Sequence, residues 1–178
     1  MINLLSARVV HGCDRIRYVF IIALIVFGEG IADQISALMD AEQIGDLRIG
    51  MTAQALTKIL ASCPLDRGSD QLWEADGLYH QNWRNARCGI SLDMVSEMRG
   101  QAKSVASISV SSPFGSKTLR GIGIGSREPE VEKAYHAEKN AEESLARVQF
   151  LAGSIYGGLI FTFNEGRVSK IFLGAAAE

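Results

Sequence analysis

A short helix followed by an antiparallel meander, occurring twice along the chain, is the α+β architecture this sequence predicts. Three observations lead there. A similar stretch occurs at residues 47–60 and again at 122–135, the hydrophobic period changes from helical to alternating after each copy, and the last two alternating runs are separated by the glycine-bearing turn Asn164-Glu165-Gly166. Strand runs beside helices on one face are the pattern of α+β proteins. The implied organisation is a leader over 1–32, a first α+β unit over 33–112 and a second over 113–178. At 178 residues the two units are expected to form one compact domain.

The leader reads as an address. Arg8, Arg15 and Arg17 precede an unbroken apolar run over 18–27, and Gly30 and Ala32 supply small residues just before the polar Asp33. A basic flank, an apolar stretch of about 7–15 residues and small residues at the exit make a secretory signal peptide. Cleavage is expected between Ala32 and Asp33. A membrane anchor needs about 20 apolar residues, and this run is broken by Gly28 and Glu29. A buried core helix would have to carry three arginines on its leading side. Cys13 precedes the apolar run rather than following it, so it does not match a lipid-attachment cysteine. The predicted location is the periplasm or the secreted space, with no stable membrane span after cleavage. Of the three cysteines, Cys63 and Cys88 then remain. In an oxidising space two such cysteines are expected to pair; two separate buried thiols are the alternative.

Residues 33–44 read as a short helix. The first repeat copy is Leu47-Arg-Ile-Gly-Met-Thr-Ala-Gln-Ala-Leu56, continuing to Leu60, and the second is Ile122-Gly-Ile-Gly-Ser-Arg-Glu-Pro-Glu-Val131, continuing to Tyr135. Each reads as Ile-Gly, a polar cap (Thr52 or Ser126), then a helix with apolar residues at i and i+4. A Ser or Thr cap accepts from the unpaired N–H groups of the first turn, and the glycine permits the tight turn into it. Glu128 and Glu130 favour the positive end of the second helix, where Pro129 costs no intrahelical bond. Leu56, Leu60, Val131 and Tyr135 are the expected buried stripe, with Gln54 and Lys133 exposed. Alternation then predicts strands at 78–83, 88–94 and 105–110 in the first half and at 147–151, 159–163 and 167–173 in the second.

The Ile-Gly-Met-Thr-x-x-x-Leu segment at 49–56, followed by a cysteine and a meander, resembles the outer-membrane assembly lipoproteins of the BamE type. Its doubling resembles the beta-lactamase inhibitory proteins, built from two such units in tandem. The likeness covers roughly residues 45–174. It implies a tandem helix-plus-sheet fold and a role in contacting other proteins.

The remaining chemistry is sparse. A formal net charge of −2 argues against nucleic acid. His80, Cys63, Cys88 and His136 lack the paired spacing of a structural zinc site. Neither Gly-x-Ser-x-Gly nor Ser-x-x-Lys occurs beyond the leader. Both remaining histidines sit in polar surroundings and are expected to be exposed. The alternating glycines of 121–125 suggest a phosphate loop, but Glu128 and Glu130 would repel the anion, so a backbone kink is the better reading. Trp73, Tyr79, Trp83, Arg84 and Tyr156 are left as a possible partner-contact surface, since these residue types dominate binding hot spots; the tryptophans as core filling is the competing reading. The sequence thus predicts an exported, non-catalytic protein with an unidentified protein partner in the envelope and no cofactor. A small periplasmic enzyme with an unrecognised site is the alternative.

Overall fold

The alternating runs become hydrogen-bonded strands. In the computed structural model, which describes residues 38–176, α1 (Ala53–Ile59) is followed by β1 (Asp66–Arg67), β2 (Gln71–Leu72), β3 (Tyr79–Asn85), β4 (Ile90–Ser96) and β5 (Ser104–Ser111). Then come α2 (Glu128–Ala134), a 3-10 turn at His136–Glu138, β6 (Gln149–Ser154), β7 (Gly157–Asn164) and β8 (Arg167–Gly174). The expected leader and its cleavage site lie outside the described residues. So does the start of the expected helix at 33–44, of which residues 38–41 are helical.

The strands do not form two units. All eight belong to one antiparallel sheet in the order β1-β3-β4-β5-β8-β7-β6, with β2 also paired to β3. The seam is β5 against β8, with Ile108 opposite Leu173 and Val110 opposite Ile171. This overturns the expected architecture of two helix-plus-meander units. Separate meanders would each leave a strand with unpaired N–H and C=O groups, whereas joining β5 to β8 satisfies both edges. The helices are also too short to form a layer. Each has seven residues, and each buries one side chain of its own, Leu56 in α1 and Val131 in α2.

The two helix starts differ. Thr52 caps α1, its Oγ1 accepting from the Ala55 N–H at 3.3 Å. Ser126 does not cap α2. The cap residue is Arg127, which has no side-chain acceptor to offer, and Glu130 reaches back to accept from the Arg127 N–H at 2.6 Å. Ser126 Oγ instead accepts from the Gly123 N–H at 3.1 Å, behind the helix.

One face of the sheet carries the core. Leu92 and Met94 of β4, Ile108 of β5, Phe161 of β7 and Ile171 and Leu173 of β8 are fully buried, and Leu56, Val131, Tyr135, Ile44 and Leu47 pack over them. Leu60 is half-buried, and Gln54 and Lys133 are exposed. Within this layer Tyr135 Oη lies 2.9 Å from Glu42 Oε2 and 2.8 Å from Thr118 Oγ1. A phenol has one hydrogen, so it donates to the carboxylate and accepts from the threonine. Glu42 Oε1 accepts in turn from the Gln43 and Leu119 N–H groups. The network fastens three sequence-distant segments beneath the sheet. Burial, together with the neighbouring Glu42 carboxylate, pushes the Tyr135 phenol far above its ordinary value, so it stays protonated.

Cys63 and Cys88 are joined, with Cα atoms 6.3 Å apart. The bridge ties the segment after α1 to the turn between β3 and β4. Among the described residues no helix is long and apolar enough to cross a membrane.

Candidate functional site on the open face of the sheet

A strand places successive side chains on opposite faces, so the residues between the core positions form a second surface. On β4 these are Ser91, Asp93 and Val95, all half-buried. Register carries the face across the sheet: Ser109 stands opposite Phe172, Phe172 opposite Ile160, and Lys170 opposite Thr162. Among the described residues no helix covers this side. A groove of about 670 Å³ lies on it, floored by Val95, Ala106, Ile160 and Phe172. Its charged lining residues are Asp76, His80, Asp93 and Lys170.

At the β3 end of the groove His80 is clamped. Its Nδ1 is 2.6 Å from Asp93 Oδ2 on β4, and its Nε2 is 2.8 Å from Asp76 Oδ2 in the turn between β2 and β3. Trp73 stacks flat on the ring, with centroids 3.7 Å apart and planes 5° from parallel. The turn is closed by the Trp73 N–H to Leu78 C=O bond, the Gly77 N–H to Trp73 C=O bond and the Leu78 N–H to Asp76 Oδ1 bond. Acceptors on both ring nitrogens require both to donate, which is the imidazolium form. Burial by itself lowers the affinity of His80 for its proton, but the hydrogen bonds and charges of Asp76 and Asp93 outweigh it and raise the ring above 6.5. Asp76 is held below its usual carboxylate value by the Leu78 N–H and then by His80.

The expectation of an exposed His80 is therefore corrected. The side chain is 6% exposed, because two carboxylates and an indole enclose it. His136 is exposed as anticipated. Neither carboxylate partner had a local signature. Asp76 stands four residues before His80, a spacing that means nothing in a turn, and Asp93 reaches it only through the β3–β4 pairing. Lys103 is a second buried charge outside the sequence reading. It is 6% exposed and pairs with Asp70 at 2.8 Å while donating to Ser96 Oγ and Tyr79 C=O.

The five residues read as a contact surface do not converge. Trp73 lines the groove. Arg84, opposite Ser91, is exposed on the same face at the β3 edge. Trp83 stands opposite Leu92 and is buried in the core, its Nε1 donating to Gln81 Oε1 at 2.7 Å with Arg67 4.1 Å above the ring. Tyr79 also follows the core-side alternation, half-buried with Arg99 over its ring. Tyr156, 71% exposed, sits at the turn between β6 and β7.

Among the described residues no group of three His, Cys, Asp or Glu side chains is arranged to hold a metal ion. The clamped imidazole offers no free nitrogen to a metal, and in this geometry no lone pair to act as a base. The groove presents half-buried apolar side chains on the sheet, with charged groups at its margins. No protein-family model, curated protein or solved structure matches this chain.

Proposed function

We propose that this protein is an exported, non-catalytic binding module that docks a protein partner on the open face of its sheet. The observation that carries the reading is the uncovered groove with Val95, Ala106, Ile160 and Phe172 on its floor. A half-buried apolar surface rimmed by polar groups is the usual form of an interaction site. Trp73 at its margin supplies the aromatic residue type enriched at hot spots. The resemblance of residues 49–56 to envelope-assembly lipoproteins supports the contact role alone. Export to the periplasm is part of the proposal. It is supported by the basic and apolar leader, and the Cys63–Cys88 bridge fits an oxidising, non-cytoplasmic compartment.

Site-specific photo-cross-linking in cells tests the docking surface. A photoreactive residue at Phe172 or Ile160 should form an adduct with the same protein, and one at Leu119, exposed at 59% away from the groove, should not. Equal adducts from all three positions, or none from the groove, would overturn the proposal.

A further inference from the structure

We propose that His80 is a proton-operated latch on the docking face: with both ring N–H groups in place it holds the Trp73–Leu78 turn against β4, and loss of one proton releases that turn. The inference deepens the docking reading and rests on it for its functional consequence, but the latch itself stands on geometry. Two carboxylates reach the ring from different elements, Asp76 from the turn and Asp93 from β4. A neutral imidazole has one N–H and one lone pair. At 2.6–2.8 Å the lone pair would face a carboxylate oxygen, so one of the two contacts has to open. Asp93 is fixed by its strand pairing to Asn82 on one side and Ser107 on the other, while the turn is tied by three hydrogen bonds of its own and the short β2 pairing. The turn is the part that moves.

Trp73 and Asp76 both line the groove, so release of the turn dismantles that wall. The protonated clamp is the preorganised docking form, and a partner binds it better below the titration of His80 than above. The titratable and charged groups facing the ring are Asp76 from the turn and Asp93 from β4; Lys170 on β8 is the other charge in the groove. The raised proton affinity of His80 agrees with this arrangement.

Hydrogen exchange on the purified, disulfide-bonded protein tests the latch without a partner. The amides of Trp73, Gly77 and Leu78 are followed against β4 amides at each pH, which removes the intrinsic pH dependence of exchange. Between pH 6.5 and the folded-state value of His80 the ratio should rise by roughly tenfold per pH unit, the slope linkage sets for one released proton. His80→Gln should show the high ratio at every pH. A flat ratio while the ring is seen to titrate by NMR overturns the latch, as does a ring that keeps its proton throughout the folded range. Cross-linking from Phe172 reports on docking separately. A turn that opens in a protein capturing nothing leaves the latch and removes the docking reading; capture with an unchanging turn does the reverse.

Discussion

The indole of Trp73 and the imidazole of His80 lie flat on one another, 3.7 Å apart, at the edge of a sheet face that no described helix covers. The contact joins the sheet to the turn between β2 and β3. It makes that turn the most chemically conditional wall of the groove.

The clamp makes stability depend on pH in a defined sense. His80 has a folded-state value raised above 6.5, so its contribution is complete below pH 6.5 and is lost as pH rises through that raised value. Asp76, lowered from 3.8, adds stability above pH 3.8 that is lost as pH falls through its lower folded value. Chemical denaturation as a function of pH should therefore show a shoulder of stability between these limits. His80→Ala should cost about 1–3 kcal/mol at pH 6, since it strands two carboxylates without their donor, and the cost should shrink in alkaline buffer. A cost unchanged by pH would remove the charged clamp.

Tyr135→Phe isolates the network on the other face. The ring still fills its site, but Glu42 loses a donor and Thr118 an acceptor inside the core. Thermal or urea unfolding should report a loss of about 1–3 kcal/mol, the cost of buried polar groups left unpaired. Equality with wild type would mean that Glu42 finds water instead.

The bridge between Cys63 and Cys88 closes a 25-residue separation that contains β1, β2 and β3. A loop of that length should stabilise the fold by roughly 3 kcal/mol in the chain-entropy account. Protein purified without reductant and then denatured should show no titratable thiol at Cys63 or Cys88. The double variant Cys63→Ser, Cys88→Ser should unfold at lower denaturant by a comparable amount. Two free thiols in protein taken from the periplasm would contradict the pairing.

Gly158 tests the tightness of the β6–β7 hairpin. A Cβ there would collide with the Ala152 carbonyl oxygen across the strand pair, and that backbone has no side chain to move out of the way. Gly158→Ala should destabilise by about 1–3 kcal/mol, in the range for overpacking. Gly166→Ala, in the next turn with open space around it, should cost less, through its positive φ alone. Reversal of that order in an unfolding assay would show that the strands relax freely.

Much of the strand content was legible in the amino-acid order, because alternation is a local property. The runs at 78–83 and 167–173 match Tyr79–Asn85 and Arg167–Gly174 to within two residues at each end. The Thr52 cap and the Cys63–Cys88 pair were likewise readable, the first from chemistry within one turn and the second from cysteine count and compartment. Tertiary structure decided what depends on partners far away in the chain. The pairing of β5 with β8 turned two expected units into one sheet, because it pairs the N–H and C=O groups of two strand edges at once. It also decided the roles of the two tryptophans. Trp83 lies in the core because its register puts it opposite Leu92, and Trp73 lies on the groove because a turn returns it to His80. His80 itself changed from an exposed polar residue to a buried cation when the fold delivered Asp93 from the neighbouring strand. Charge pairing across strands costs and repays free energy only after the backbone is in place, and no local pattern records it.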